Sequence, residues 1–244
     1  MTRKQELVSR WDDFLRKIDT RFEESLAAAE TAVLESLSGN DYDYYASART
    51  LMSVRLQLTS TLIEKIDQTW RLQVEPAMAA DGAYWMDEMK KGYDLAEALH
   101  DRLERFMFIT EGKLSQAYYT HCIGLVNKNF YCTQCRSKLE IKQNFFRSQY
   151  VTCGYCNTVN TFEPETRYVQ IGWNVVHHMA ALAALEEYDA AQQAGKQGDT
   201  PAYRAAYKKY LERYFREKAR LVPDIEANFE QDVASGMHKR FSNH

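Results

Sequence analysis

Residues 129–164 read NFYCTQCRSKLEIKQNFFRSQYVTCGYCNTVNTFEP, and this stretch decides how the rest of the chain is parsed. Four of the five cysteines fall inside it as two tight pairs, spaced C-x2-C-x17-C-x2-C. A C-x2-C turn points two sulfurs at one place while backbone amides support the thiolates. Strands between two such turns complete a tetrahedron. The spacing therefore predicts one zinc ion held by Cys132, Cys135, Cys153 and Cys156. Four protein ligands leave no open coordination position, so the expected ion is structural. Leu139 to Lys142, Tyr150 to Thr152 and Thr158 to Phe162 are expected as three strands, because β-forming residues replace helical periodicity there. Asn157 suits the left-handed backbone often needed after a pair, and Arg136 suits it less well.

The segment resembles the zinc-ribbon family of metal modules through these cysteines and their spacing. The resemblance covers residues 127–164 and implies metal binding by Cys132, Cys135, Cys153 and Cys156. Zinc ribbons serve many functions, so it implies no activity. Rubredoxin-like iron knuckles place Pro and Gly around each pair as C-P-x-C-G. CTQCR and CGYCN depart from that pattern, so zinc is the expected metal. A redox role for either pair is disfavoured, since no βαβ context surrounds them. Cys122, beside His121, lies outside the pattern and reads as a half-buried cysteine near a helix end.

Outward from the ribbon the chain is helical. Residues 2–38 carry Leu7, Trp11, Phe14, Ile18, Phe22, Leu26, Ala29, Val33 and Leu37 on one stripe. Eight steps span thirty residues, a mean of 3.75, which is nearer a straight helix than the 3.5 of a left-handed coiled coil. Ser38-Gly39-Asn40 reads as a stop and turn. A second helix is expected from Asp41 to Val74, ended by Pro76, and a third from Tyr84 toward residue 121, with Gly112 as a candidate break. Beyond Pro164 the stripe resumes with Val169, Trp173, Val176, Ala180 and Ala183. Thr200-Pro201 opens a further helix, which Pro223 bends or interrupts. The expected fold is mainly α: an elongated bundle of about five long helices, residues 1–126 with 165–244, into which a three-stranded ribbon, 127–164, is inserted.

The 244 residues contain only ten Gly and four Pro, which argues against an all-β fold. The N-terminus has no apolar signal region and no stretch is long and apolar enough to span a membrane. Paired thiols in such a chain point to a reducing, cytoplasmic setting. No nucleophile elbow, His-Glu-x-x-His, phosphate loop or dinucleotide fingerprint occurs, and a non-catalytic role is expected. Glu97 and His100 make one Glu-x-x-His, but di-iron bundles need two copies and further Glu residues. His177 and His178 are adjacent, so they cannot chelate one ion from one helix face.

The net charge of −3 is unevenly spread. Residues 128–163 hold five basic and two acidic side chains, and residues 201–222 hold seven and two. The second region also carries Tyr203, Tyr207, Tyr210 and Tyr214, spaced as a buried seam. The expected function is a scaffold, adaptor or regulator that binds another protein through the ribbon and helix faces, a role compatible with homo-oligomerisation. Phe145, Phe146, Arg147, Tyr150, Tyr155 and Lys142 are the expected contact residues, because so small a module cannot bury them all. The competing reading is nucleic-acid binding by the ribbon and the basic helix. A weaker one is a metal-dependent enzyme within the bundle.

Overall fold

The apolar stripe of the N-terminal region folds as α1 (Arg3–Gly39) in a computed structural model that describes residues 2–82 and 85–242. Thr2 caps it: its hydroxyl accepts from the Gln5 amide at 3.3 Å and the Gln5 side chain accepts from the Thr2 amide at 2.8 Å. The turn that follows uses Asp41 and Tyr42 in left-handed backbone (φ 58 and 59), not Gly39. The Asp43 carboxylate then caps the next helix through the Ala46 amide.

That second helix, α2 (residues 44–80), continues through Pro76, where the sequence suggested a stop. It contains two π-type turns, Thr59–Ile63 and Trp70–Val74. The second lies immediately before Pro76. A proline lacks an N–H and crowds the carbonyl four residues back, and a widened turn at that point lets the helix proceed. The third helix, α3 (Met86–Lys128), is also continuous; the expected start at Tyr84 lies outside the described residues. Gly112 does not break it. A Cβ there would lie 2.5 Å from Leu182 Cβ, so the glycine permits a close helix approach.

Two compact units divide the chain, 1–110 and 111–244, with the division falling inside α3. The core of the first unit is built by Trp11, Ile18, Phe22 and Leu37 of α1, Leu51, Ile66 and Trp70 of α2, and Leu99 and Leu103 of α3. Trp11 packs at a tilt against Trp70 (centroids 5.5 Å apart) and donates its indole N–H to the Glu88 carbonyl at 2.9 Å. Gly92 makes this possible, since a Cβ would sit 2.9 Å from Trp11 Cζ2. Outside the core, Arg102 clamps Asp19 and Glu23 of α1.

The second unit contains the end of α3, two strands, and α4 (Thr166–Ala183), α5 (Leu185–Gly195), α6 (Pro201–Leu221) and α7 (Phe229–Phe241). A 3₁₀ turn, Pro223–Asn228, separates the last two, as Pro223 led one to expect. Thr200 caps α6 through the Tyr203 amide at 3.1 Å, with Pro201 at the first helical position. The tyrosines of α6 are packed: Tyr203 and Tyr214 are buried, and Tyr210 meets Tyr188 and Tyr207 with ring centroids 5.5 and 5.8 Å apart. They form the seam that their spacing indicated.

The described residues thus form seven helices where about five were expected. The excess comes from breaks at Ala184 and after Leu221 that divide the C-terminal half. The sheet has two strands, β1 (Gln149–Thr152) and β2 (Val159–Phe162), where three were expected. They pair antiparallel in the register Tyr150↔Thr161 and Thr152↔Val159. The segment Leu139 to Lys142 forms no strand; the one isolated bridge nearby, Tyr131↔Lys138, precedes it. The reason is local: Ile141 is buried, and its N–H and C=O are both taken by the Asn127 side chain at 2.7 and 2.9 Å. A side-chain amide occupies the backbone groups that a third strand would have used.

The stripe on α4 is displaced in part: Val176 and Ala180 are buried as expected, whereas Val169, Trp173 and Ala183 are not. Tyr168, Ile171, Gly172, Val175 and Val176 face inward, while Val169 and Trp173 are about half exposed. Phe145 and Phe146 set this rotation. Phe145 packs edge-on to Tyr168 (centroids 5.5 Å apart), and a Cβ on Gly172 would fall 2.4 Å from the Phe146 ring.

Candidate metal centre

Two knuckles of the same design bring the four thiols together. In the first, the Arg136 amide donates to the Cys132 carbonyl at 3.0 Å and the Cys132 amide to the Ser137 carbonyl at 2.8 Å. In the second, the Asn157 amide donates to the Cys153 carbonyl and the Cys153 amide to the Thr158 carbonyl, each at 2.9 Å. Arg136 and Asn157 close the turns in left-handed backbone (φ 63 and 60). The hydroxyls of Ser137 and Thr158 lie 3.2 and 3.3 Å from Cys135 Sγ and Cys156 Sγ. The knuckles are therefore a local repeat, C-x2-C-Arg-Ser and C-x2-C-Asn-Thr, visible in the sequence once the geometry is known.

Cys132 Sγ is 3.5 Å from Cys156 Sγ and Cys135 Sγ is 3.6 Å from Cys153 Sγ, and all four sulfurs lie within 4.8 Å of one another. None is in a disulfide. Zn–S bonds of ~2.3 Å in a tetrahedron place sulfurs about 3.8 Å apart, so the donor set fits a single thiolate-bound ion. Backbone N–H groups of Cys135 and Gln134 hold the Cys132 thiol below its usual range against the opposing effect of burial, which favours the ligating thiolate. Among the described residues, this is the one cluster of Cys, His, Asp or Glu whose donor atoms converge in this way.

Asn160 is the residue that the sequence did not single out. It is buried in β2, and its Oδ1 accepts from the Thr133 amide at 2.9 Å and hydroxyl at 3.1 Å. Its amide donates to the Thr158 carbonyl at 3.0 Å and lies 3.7 Å from Cys132 Sγ. It thus ties the first knuckle to the second strand. A lone Asn in a strand carries no signal in sequence, because only the fold places it against a sulfur.

The expected contact residues separate into two groups. Phe145 and Phe146 are interior, packed on each other and on Tyr119, and so do not form the surface assigned to them. The cause is the rotation of α4, which offers Gly172 and Tyr168 as a bed for both rings. Tyr150 and Tyr155 are 79% and 82% exposed, and Lys142 is exposed too. Arg147 is exposed but engaged with Asp224 at 2.8 Å.

The other candidates do not assemble a site. Glu97 and His100 are exposed on a helix face. His177 Nδ1 lies 2.7 Å from the Tyr214 hydroxyl, whereas His178 Nδ1 lies 3.4 Å from a Glu111 carboxylate oxygen. Cys122 is buried, and burial pushes its thiol up to about 11, the state of an inert core cysteine. Of the basic residues on α6, Arg204, Lys208, Arg213 and Arg220 are in ion pairs with Asp199, Glu212 or Glu217. No helix among the described residues is long and apolar enough to cross a membrane.

Searches against protein-family models, curated proteins and solved structures find no match for this chain.

Proposed function

We propose that this chain is a non-catalytic interaction protein whose ribbon is folded by one structural zinc ion and presents an uncharged β face to a partner protein. The observation that carries this reading is the division of labour within the ribbon. Its inner face and its thiols are used up by the ion and a few buried side chains. Its outer face places Tyr150, Thr152, Val159 and Thr161 side by side in solvent. An exposed, uncharged strand pair with aromatic and β-branched side chains is suited to strand-on-strand or face-on contact with another protein. The closed donor set supports a structural ion, and the departure of both knuckles from the C-P-x-C-G pattern supports zinc over iron. A cytoplasmic location follows as part of this proposal, since free thiolates persist in a reducing compartment.

A second reading rests on charge. Lys128, Arg136, Lys138 and Lys142 are exposed and make no ion pair among the described residues, and Tyr131, Tyr150 and Tyr155 are exposed on the same ribbon. Cations beside aromatic rings could follow a single-stranded nucleic acid. The protein reading is favoured because the paired β face itself carries no charge.

One experiment separates the two. A photo-crosslinking residue is placed at position 150, and another at the exposed Lys209 as a control. A protein adduct that forms at 150 alone and survives nuclease treatment and raised salt supports the first reading. An adduct lost to nuclease, with binding that falls steeply with salt, supports the second. No adduct specific to position 150 would remove the ribbon face from consideration.

A further inference from the structure

The four candidate ligands are not equally covered. Cys132 and Cys153, the first of each pair, are buried, whereas Cys135 and Cys156, the second of each pair, are half-buried. The half-buried sulfurs are the two with a hydroxyl beside them: Ser137 Oγ lies 3.2 Å from Cys135 Sγ, and Thr158 Oγ1 lies 3.3 Å from Cys156 Sγ. Each hydroxyl stands two residues beyond its cysteine and is itself half-buried. The same device is thus repeated at both places where solvent reaches the donor set. Cys132 is served from inside instead, by the Asn160 amide.

The direction of these hydrogen bonds depends on the sulfur. A thiol donates to a hydroxyl beside it, but a ligating thiolate has no proton and only accepts, so the hydroxyl must donate to it. Ser137 Oγ has no other hydrogen-bond partner among the described residues and is free to do so. Thr158 Oγ1 also meets Gln134 Oε1 of the first knuckle, so its one proton has two claimants. A hydrogen bond to a metal-bound thiolate draws charge from the sulfur and fixes its orientation, which favours retention of the ion. It also makes the sulfur a poorer nucleophile, since thiolate reactivity falls with basicity.

We propose that Ser137 and Thr158 are positioning residues that donate to the two solvent-facing thiolates and protect them, so that the ribbon keeps its ion in the presence of electrophiles and oxidants. A sensor of oxidants needs the reverse, accessible thiolates of high reactivity. The inference rests on reading the four cysteines as a structural metal site, and it assigns to that site a guarded rather than a responsive character.

The test uses the full chain loaded with zinc and a second sample loaded with cobalt(II). N-ethylmaleimide is added in excess, and zinc release is followed with a chromogenic chelator. Ser137→Ala is expected to speed release by about threefold to tenfold. It should also move the sulfur-to-cobalt charge-transfer bands to lower energy, a change that loss of steric cover alone would not cause. Thr158→Val should act in the same direction but less, because Gln134 competes for the Thr158 proton. The exchange Ser137→Thr with Thr158→Ser keeps both donors and should alter neither reading. Amide protection of Cys132 and Cys153 should persist in every variant, which separates these effects from unfolding. Unchanged release rates and bands in both single variants, or faster release with unmoved bands, would overturn the proposal while the metal site stands. A chain that takes up no metal would remove the metal reading and this inference together.

Discussion

The helical unit of residues 1–110 and the ribbon of residues 127–164 are closed by different means. In the helical unit, Trp11, Phe22, Leu51, Trp70, Leu99 and Leu103 come from three long helices and bury one another almost completely. Such a core is held mainly by apolar area, at about 25 cal/mol per Å². Around the ribbon's two knuckles the buried hydrophobic cluster is only Cys132, Leu139 and Cys153, with Phe130, Val151, Cys135 and Cys156 partly covered around them, while Phe145 and Phe146 of the same segment pack instead on Tyr119 and Tyr168 of the flanking helices. Most of that cluster consists of the candidate metal ligands. The helical core therefore closes on side chains alone, whereas folding of the ribbon is expected to be coupled to metal binding by its four cysteines. A short segment with few apolar side chains folds only when something outside the hydrophobic effect closes it.

Several substitutions would break or sharpen that contrast. The largest effect is expected for Trp11→Ala, which removes a fully buried ring and its hydrogen bond to the Glu88 carbonyl. It should cost about 3–5 kcal/mol and lower the thermal midpoint of the helical unit, while metal content by elemental analysis stays unchanged. Loss of the metal in this variant would show that the two regions are not independent. Gly172→Ala comes next, because the new Cβ would lie 2.4 Å from the Phe146 ring. A cost of about 1–3 kcal/mol is expected in denaturant titrations, with altered fluorescence from the neighbouring Trp173. A silent Gly172→Ala would mean that the 143–147 loop does not rest on α4.

Asn160→Ala leaves the Thr133 amide without its acceptor and removes the N–H group near Cys132 Sγ. It should weaken metal retention by roughly tenfold to a hundredfold in competition with a chromogenic chelator, with little change in helix content. Metal affinity equal to that of the wild type would reduce Asn160 to a passive core residue. The smallest effect belongs to Tyr150→Ser: at 79% exposure the ring supports no core, and stability should shift by no more than about 0.5 kcal/mol. A large loss there would mean that the outer β face is covered within the chain itself.

How much of this was legible in the sequence depended on whether the signal was local. The two cysteine pairs, the long stripe of α1 and the Thr200-Pro201 start are each complete within a few turns of chain, and each is found where the residues place it. The seam of α6 was legible for the same reason. The third strand, the stop at Pro76 and the inward face of α4 were not, because each is settled by a distant partner or an altered turn. Asn127 captures Ile141, a π turn precedes Pro76, and Phe145 and Phe146 dictate which side of α4 turns inward. The same two phenylalanines read as surface from composition alone, since nothing in their neighbourhood announces Gly172 and Tyr168 as their bed. Asn160 gave no signal, because its role is spatial: 27 residues separate it from the amide that it holds.

Removing the metal tests the central claim most directly. Hydrogen exchange is measured on the full chain as purified and after the ion has been extracted by a chelator at neutral pH, with metal counted by elemental analysis. One zinc per chain is predicted. On its removal the amides of Cys132, Arg136, Cys153 and Asn157, all hydrogen-bonded in the knuckles, should lose protection, while residues 3–39 and 44–80 keep theirs. Protection that persists in both knuckles without the ion, or helices of the N-terminal unit that melt together with the ribbon, would contradict the account.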